Sequence, residues 1–326
     1  MKMLKALILS AAALLVMGGT AVAASDYPSR TIEIVVPSGS GGGQDTLVRY
    51  IQPLLEKELG VSIRVTNVPG GAHTKGIMYA YSAPADGYLI HCESPSGVIA
   101  DVFKKMPIKF VEEFVPVARL QRERGYLWTG ANGRFKTLQE LIDFAKKNPG
   151  KVTVAISSPG GVDDASLGTF ADAAGIKVSI VPINSGGERM ASTIAGHVDL
   201  MYEEFSAVGD MMKAGQLIPL VGLMNERIDT PDLKDIPAAG EFGMKGWELA
   251  GTWRGFAVRK GTPQPIVDKL VTVFKKVYDS EQYQQYAKEN GLDVVPGWMG
   301  PEEFGKLWEG NYTAFEKVFR RLGRIK

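Results

Sequence analysis

Cysteine is almost absent. The single Cys92 excludes an intramolecular disulfide, and its apolar neighbours from Leu89 onward mark it as a small core residue rather than a reactive thiol. Histidine is nearly as scarce. His73, His91 and His197 lie far apart, with no H-E-x-x-H or C-x-x-C company, which argues against a zinc site. Neither sign of charge prevails. With 37 basic and 36 acidic residues and no basic block, nucleic acid is not an expected partner. After the first residues no apolar run approaches the length of a membrane span, so the mature chain is expected to be soluble.

Motifs for cofactors and covalent catalysis are missing as well. A dinucleotide fingerprint starting at Gly39 or Gly41 would need a glycine at 44 or 46, where Gln44 and Thr46 stand. The second strand ends in Thr66-Asn67, with no acid to hold a ribose. No Gly-Lys-Ser/Thr follows a glycine loop, and no G-x-S-x-G elbow occurs. Nothing in the spacing pairs His73 with Ser94. No cofactor, no metal and no enzymatic activity are therefore expected.

What is present begins with an export signal. Lys2 and Lys5 precede an apolar run from Ala6 to Val16, and Ala21-Val22-Ala23 is a small-x-small cleavage site. Residues 1–23 are read as a signal peptide removed near Ala23, which places the mature protein in the periplasm. No cysteine stands at the cleavage point, so no lipid anchor is implied.

Strands then alternate with helices, which implies parallel sheets covered on both faces. Thr31 to Val36 is β-branched. A glycine-rich loop follows, and then a helix with Leu47, Ile51, Leu54, Leu55 and Leu59 on one face, stopped by Gly60. The theme restarts after residue 125. Thr137-Leu-Gln-Glu140 is a capping box, Val152 to Ile156 a strand, and Ser157-Ser-Pro-Gly-Gly161 a second glycine turn. Asn184-Ser-Gly-Gly187 is a third such turn. Thr262 is expected to cap a C-terminal helix. A glycine turn between a strand and a helix start presents free N–H groups at the positive end of the helix dipole, a ready site for a carboxylate or a phosphate. Three such turns in two α/β lobes point to a ligand cleft. A side chain at Gly42 is expected to block the backbone's approach to the ligand.

The motifs Tyr27-Pro-Ser-Arg30, Val35-Val-Pro37, Gly41-Gly-Gly-Gln-Asp45, Asn67-Val-Pro-Gly-Gly71 and Asp86-Gly-Tyr88 occur in order in the first lobe. Val181-Pro182, Gly186-Gly187, Gly196-His-Val-Asp-Leu-Met201, Gly215-Gln-Leu217 and Arg259-Lys-Gly-Thr-Pro263 follow. This ordered set resembles the solute-binding receptors of tripartite tricarboxylate transporters, the Bug-type periplasmic proteins. The resemblance implies an α/β, two-lobed type II periplasmic-binding-protein fold that closes on its ligand like a Venus flytrap. Lobe 1 would comprise residues 24–125 and 247–326, and lobe 2 residues 126–246. It further implies capture of a small organic acid for the membrane subunits of such a transporter, by a receptor expected to act as a monomer.

The expected ligand-binding positions are Ser38, Gly39, Ser40, Gly41, Gly42 and Gly43 in the first loop, with Gly70, Gly71 and Ser94 beside it. Ser157, Ser158, Gly160, Asp163, Ser185 and Glu204 face them from the second lobe. The chain departs from the family where Ser38 replaces an aromatic residue, where Ile183 replaces a common tyrosine, and where Asp163-Asp164 and Glu203-Glu204 add acid. Neighbours on a strand point to opposite faces, so only one of Glu203 and Glu204 is expected at the cleft, with Glu204 preferred. These acids favour an amino acid or a substituted monocarboxylate over citrate. A secreted α/β hydrolase and a ligand-presenting partner of a sensor are the alternatives; the first lacks its expected motifs.

Overall fold

The computed structural model describes residues 27–247 and 251–326. The expected cleavage site near Ala23 lies outside them. Among the described residues, ten strands form two mixed sheets, each covered by helices. In the first, strands β1 (Ile32–Val36), β2 (Ile63–Asn67) and β3 (Leu89–Glu93) run parallel. β4 (Phe114–Arg122) and β10 (Trp253–Arg259) join antiparallel, in the order β2-β1-β3-β10-β4. The second sheet repeats the plan with β5 (Gly125–Gly130), β6 (Val152–Ile156), β7 (Val178–Pro182), β8 (Leu200–Glu204) and β9 (Leu217–Gly222). Its order is β7-β6-β8-β5-β9.

The parallel strands are short and β-branched because helices bury them from both sides. Val36, Leu47, Ile51, Leu55, Phe256 and Phe274 fill one core of the first lobe. Leu141, Val154, Ile156, Phe170 and Trp247 fill the main core of the second. The chain leaves the first sheet at Arg122, opens the second at Gly125 and re-enters the first at Trp253. Gly125 and Trp247, read from sequence as lobe 1 residues, thus belong to the second sheet and its core.

Helix ends follow their local chemistry. Helix α1 (Gly43–Leu59) ends on Gly60 at φ 72°. Helices α2 (Thr74–Ser82), α3 (Pro95–Val102) and α4 (Phe110–Glu113) complete the first half. At α5 (Leu138–Lys147), the Thr137 hydroxyl accepts the Glu140 N–H at 3.2 Å, but the Glu140 carboxylate reaches back to the N–H of Lys136. Helices α6 (Val162–Ala174), α7 (Gly186–Ile194) and α8 (Phe205–Lys213) cover the second sheet. Thr262 does not cap α9 (Gln264–Asp279). Its hydroxyl donates instead to the Arg259 carbonyl, and the helix starts two residues later.

After α10 (Glu281–Glu289), the terminal helix α11 (Pro301–Arg321) packs on α3 and β4 and then reaches across to α6 of the other lobe. Leu322 lies over Gly168, where a Cβ would collide with it. Arg324 holds both carboxylate oxygens of Asp164, at 2.9 and 3.1 Å. Asp164 is 1% exposed and Arg324 sits at the rim. Arg324→Ala is therefore expected to cost about 1 kcal/mol, since the pair is charge-assisted on one side and solvent-screened on the other. A urea melt of the variant against the parent checks this.

Candidate functional site

The parallel strands of both sheets aim their C-terminal ends at the seam between the sheets. There, β1 and β6 lead into twin loops. Gly41 and Gly160 both stand at φ 79°, a left-handed conformation that suits glycine. The Gly41 N–H donates to Asp45 at 2.8 Å, and the Gly160 N–H donates to Asp164 at 2.7 Å. In each loop that aspartate pairs with an arginine, Arg49 in one and Arg324 in the other. Burial opposes ionisation of Asp45, yet the bonds from Arg49, Gly41 and Asn67 hold its carboxyl down at about 2.

The twins differ one residue earlier, at Gln44 and Asp163. Gln44 turns away, its amide toward the Cys92 carbonyl. The N–H groups of Gly43, Gln44 and Asp45, the first turn of α1, have no partner among the described residues. Asp163 instead folds back onto its own loop. Its carboxylate accepts the Ser157 N–H, the Ser157 hydroxyl at 2.6 Å and the Asp164 N–H at 3.1 Å. The second-lobe turn thus already holds a carboxylate, its own.

Between the lobes lies a polar cavity of about 240 Å³, lined by Ser96, Ser157, Ser158, Gly161, Val162, Asp163, Arg189, Tyr202, Glu203, Glu204, Thr252 and Arg254. Of the expected positions, Ser157, Ser158, Asp163 and Glu204 line it. Ser38 to Gly43 do not line it directly. The loop meets the cavity through Gly43, where a Cβ would overlap the Arg254 guanidinium. Gly42, by contrast, has room for a Cβ. Gly70 and Gly71 are taken up in the turn before α2, against Lys75 and Thr74. Ser94 and Ser185 cap α3 and α7 through the N–H groups of Ser96 and Glu188. Gly160 packs under Phe103.

Both Glu203 and Glu204 face the cavity, contrary to the expectation from strand alternation. Glu204 is the last residue of β8 and also the residue that starts α8, so the pleat no longer governs it. Glu203 pairs with Arg189, which also donates to the carbonyls of Ile183 and Asn184. Arg254 donates through Nη1 to Gln121 at 2.9 Å and to Glu123. Its Nη2, toward Gly43, has no hydrogen-bond partner among the described residues. The two arginines are thereby neutralised, which leaves Asp163 and Glu204. Burial first, then the neighbouring Glu203 and Glu123, push the Glu204 carboxyl well above the usual range, which favours its protonated form.

Arg254, Arg189, Glu123, Ser96 and Thr252 were not foreseen. Arg254 had a readable signal, a lone arginine in the otherwise apolar run Trp253-Arg-Gly-Phe-Ala-Val258. The histidines, scattered in sequence, partly converge. His73 Nδ1 and His91 Nε2 both bond Glu93, at 2.6 and 3.0 Å, and Glu93 also accepts the Ser94 N–H. The Ser94 hydroxyl is engaged with Ser96 and has no bond to His73. Among the described residues no cluster could hold a metal ion.

Comparison with known proteins agrees with this geometry. The family model for the tripartite tricarboxylate transporter family receptor matches residues 47–303. BugT of Bordetella pertussis is 26% identical over 278 residues, 84% of each chain. Among solved structures, MatC of Rhodopseudomonas palustris with bound malate has a TM-score of 0.75 at 24% identity and covers 90% of this chain and 99% of its own. Rpa4515 of R. palustris with adipate has a TM-score of 0.77 at 26% identity, covering 91% and 99%.

Proposed function

Because the chain belongs to the tripartite tricarboxylate transporter receptor family, whose members are periplasmic binding proteins and not enzymes, we propose that it captures a small monocarboxylate bearing a hydroxyl or amino group. It would deliver that ligand, as a monomer, to the membrane subunits of a transporter of the same type. The carboxylate docks on the first-lobe loop, at the open N–H groups of Gly43 and Gln44 beside Arg254 Nη2. The other end meets Glu204 and the Ser157–Gly161 turn, and the lobes close over it about the two crossings near residues 123 and 252.

One observation carries the choice of ligand: the Asp163 carboxylate sits in the second-lobe turn, bonded to the N–H and hydroxyl of Ser157 and to the Asp164 N–H. A second ligand carboxylate would meet the Asp163 charge at that turn, and like charges repel. A second reading, a dicarboxylate, is favoured by the malate and adipate bound to the two R. palustris neighbours.

Titration calorimetry over hydroxy and amino monocarboxylates, malate, adipate and citrate separates the readings. The parent protein should bind a substituted monocarboxylate at least tenfold more tightly than any di- or tricarboxylate. Asp163→Ala, by opening the second turn, should narrow or reverse that gap. Tight citrate or adipate binding that Asp163→Ala leaves unchanged would refute the monocarboxylate reading.

A further inference from the structure

The twin loops share a backbone but anchor their aspartates differently. In the first lobe Asp45 is held by Arg49, four residues further along α1. Four residues beyond Asp164 stands Gly168, which has no side chain to offer. The guanidinium that fills the slot belongs to Arg324, 160 residues away near the end of the chain. Gly168 makes room for the same segment: a Cβ there would stand 2.6 Å from Leu322 Cδ1.

That segment is an extension of the first lobe. Helix α11 packs on α3 and β4, and Phe319 near its end lies against Phe103, with 4.9 Å between ring centroids. From there the chain grips α6 of the second lobe at three levels. Arg321 pairs with Asp172 at 2.6 Å, Leu322 covers Gly168, and Arg324 forks onto Asp164. Positions 164, 168 and 172 are about one helical turn apart, so the grip runs along a single face of α6. It also reaches the cleft. Asp164 Oδ2 accepts both Arg324 Nε and the Gly160 N–H of the second-lobe turn, and Phe103 lies over the same Gly160. None of these contacts uses either crossing. The crossings can flex while the lobes part, but a connection made of side chains from opposite lobes has to slide or break.

We propose that residues 319–324 are a strap between the lobes, made when the receptor closes and released when it opens, with Arg324 as a positioning residue that fixes the second-lobe turn through Asp164. The strap sets the balance between open and closed receptor before a ligand arrives. A ligand that binds the closed form then gains apparent affinity in proportion to the closed fraction.

The test needs no ligand, so its failure is distinct from a failure of the monocarboxylate reading. Spin labels at Lys57→Cys on α1 and Lys146→Cys on α5, both exposed and in opposite lobes, report the distance between the lobes, while buried Cys92 stays unlabelled. Double electron–electron resonance should show the longer-distance population rising about fivefold when Arg321→Gln and Arg324→Gln are combined. Salt at about 1 M should raise that population in the parent and add nothing in the double variant. Gly168→Ala, which unseats Leu322 while improving the helix propensity of α6, should act in the same direction. Arg321→Asp alone should favour the longer distance, and adding Asp172→Arg should restore the parent distribution, which a general loss of stability would not allow. The proposal fails if the double glutamine variant and Gly168→Ala, both folded by circular dichroism, keep the parent distribution, or if Asp172→Arg recovers nothing of what Arg321→Asp loses.

Discussion

Replacing Arg254 by methionine is expected to abolish measurable ligand binding and to lower the melting temperature by about 10 °C. Arg254 is the cation that meets Glu123, a carboxylate only 3% exposed in the seam between the lobes. Without it, Glu123 keeps one bond from the Ser206 hydroxyl and faces Glu204 with no positive charge between them. Breaking one side of a buried pair costs roughly 3–5 kcal/mol, because the remaining charge has lost both water and partner. Two further variants separate fold from function. Arg254→Lys keeps the charge and should retain most of the stability, but it loses the planar fork beside Gly43 and with it most of the affinity. Glu123→Gln combined with Arg254→Met removes the stranded charge and should recover stability without recovering binding. Thermal melts and calorimetry on the same preparations read both effects. Full ligand affinity in a folded Arg254→Met protein would mean that the ligand sits elsewhere.

The second large effect concerns acid. Glu204→Gln is expected to match the parent in stability near pH 4 and to exceed it increasingly toward neutral and mildly alkaline pH. The sign follows from the raised carboxyl. In the folded protein Glu204 keeps its proton above the ordinary carboxylate range, and in the unfolded chain it loses that proton. The unfolded state then binds fewer protons, so stability falls as pH rises, by at most about 1.4 kcal/mol per pH unit, until the folded group ionises too. Glutamine has no such slope. Melting curves of both proteins from pH 4 to pH 8 check it, and parallel profiles would show that Glu204 is ionised in the folded state. Binding supplies an independent readout. A ligand whose far end is an ammonium should gain affinity with pH in the parent, as Glu204 ionises beside it, and not in the variant.

The parallel half of each lobe was legible in the sequence. Short β-branched runs followed by glycine turns and amphipathic helices can be read without a structure, and so can Cys92 as a core residue. The crossings were not legible. Arg119-Leu-Gln-Arg-Glu-Arg124 looks like exposed polar chain, yet it runs through the seam where both faces of a strand are occupied. The site suffered accordingly. Second-lobe residues next to a glycine turn, Ser157, Ser158 and Asp163, were within reach of sequence reasoning. Arg254 stood out as a lone arginine in an apolar run, but its place did not, because it approaches Gly43 from a strand more than two hundred residues away. Strand alternation also misled at Glu203-Glu204, where the strand hands over to a helix within a single residue.

The twin loops make the receptor a lock whose two halves share one blank. Each is cut from the same backbone pattern, with glycine at φ 79° and an aspartate four residues on. Of the teeth that differ, one sets the charge: Gln44 in one half, Asp163 in the other. That tooth gives the cleft a polarity, an open end and a filled end, and a ligand with unlike ends can enter in only one sense. Exchanging the two residues, Gln44→Asp together with Asp163→Gln, should turn the lock around: the same ligand would bind head to tail, its carboxylate now on the second lobe.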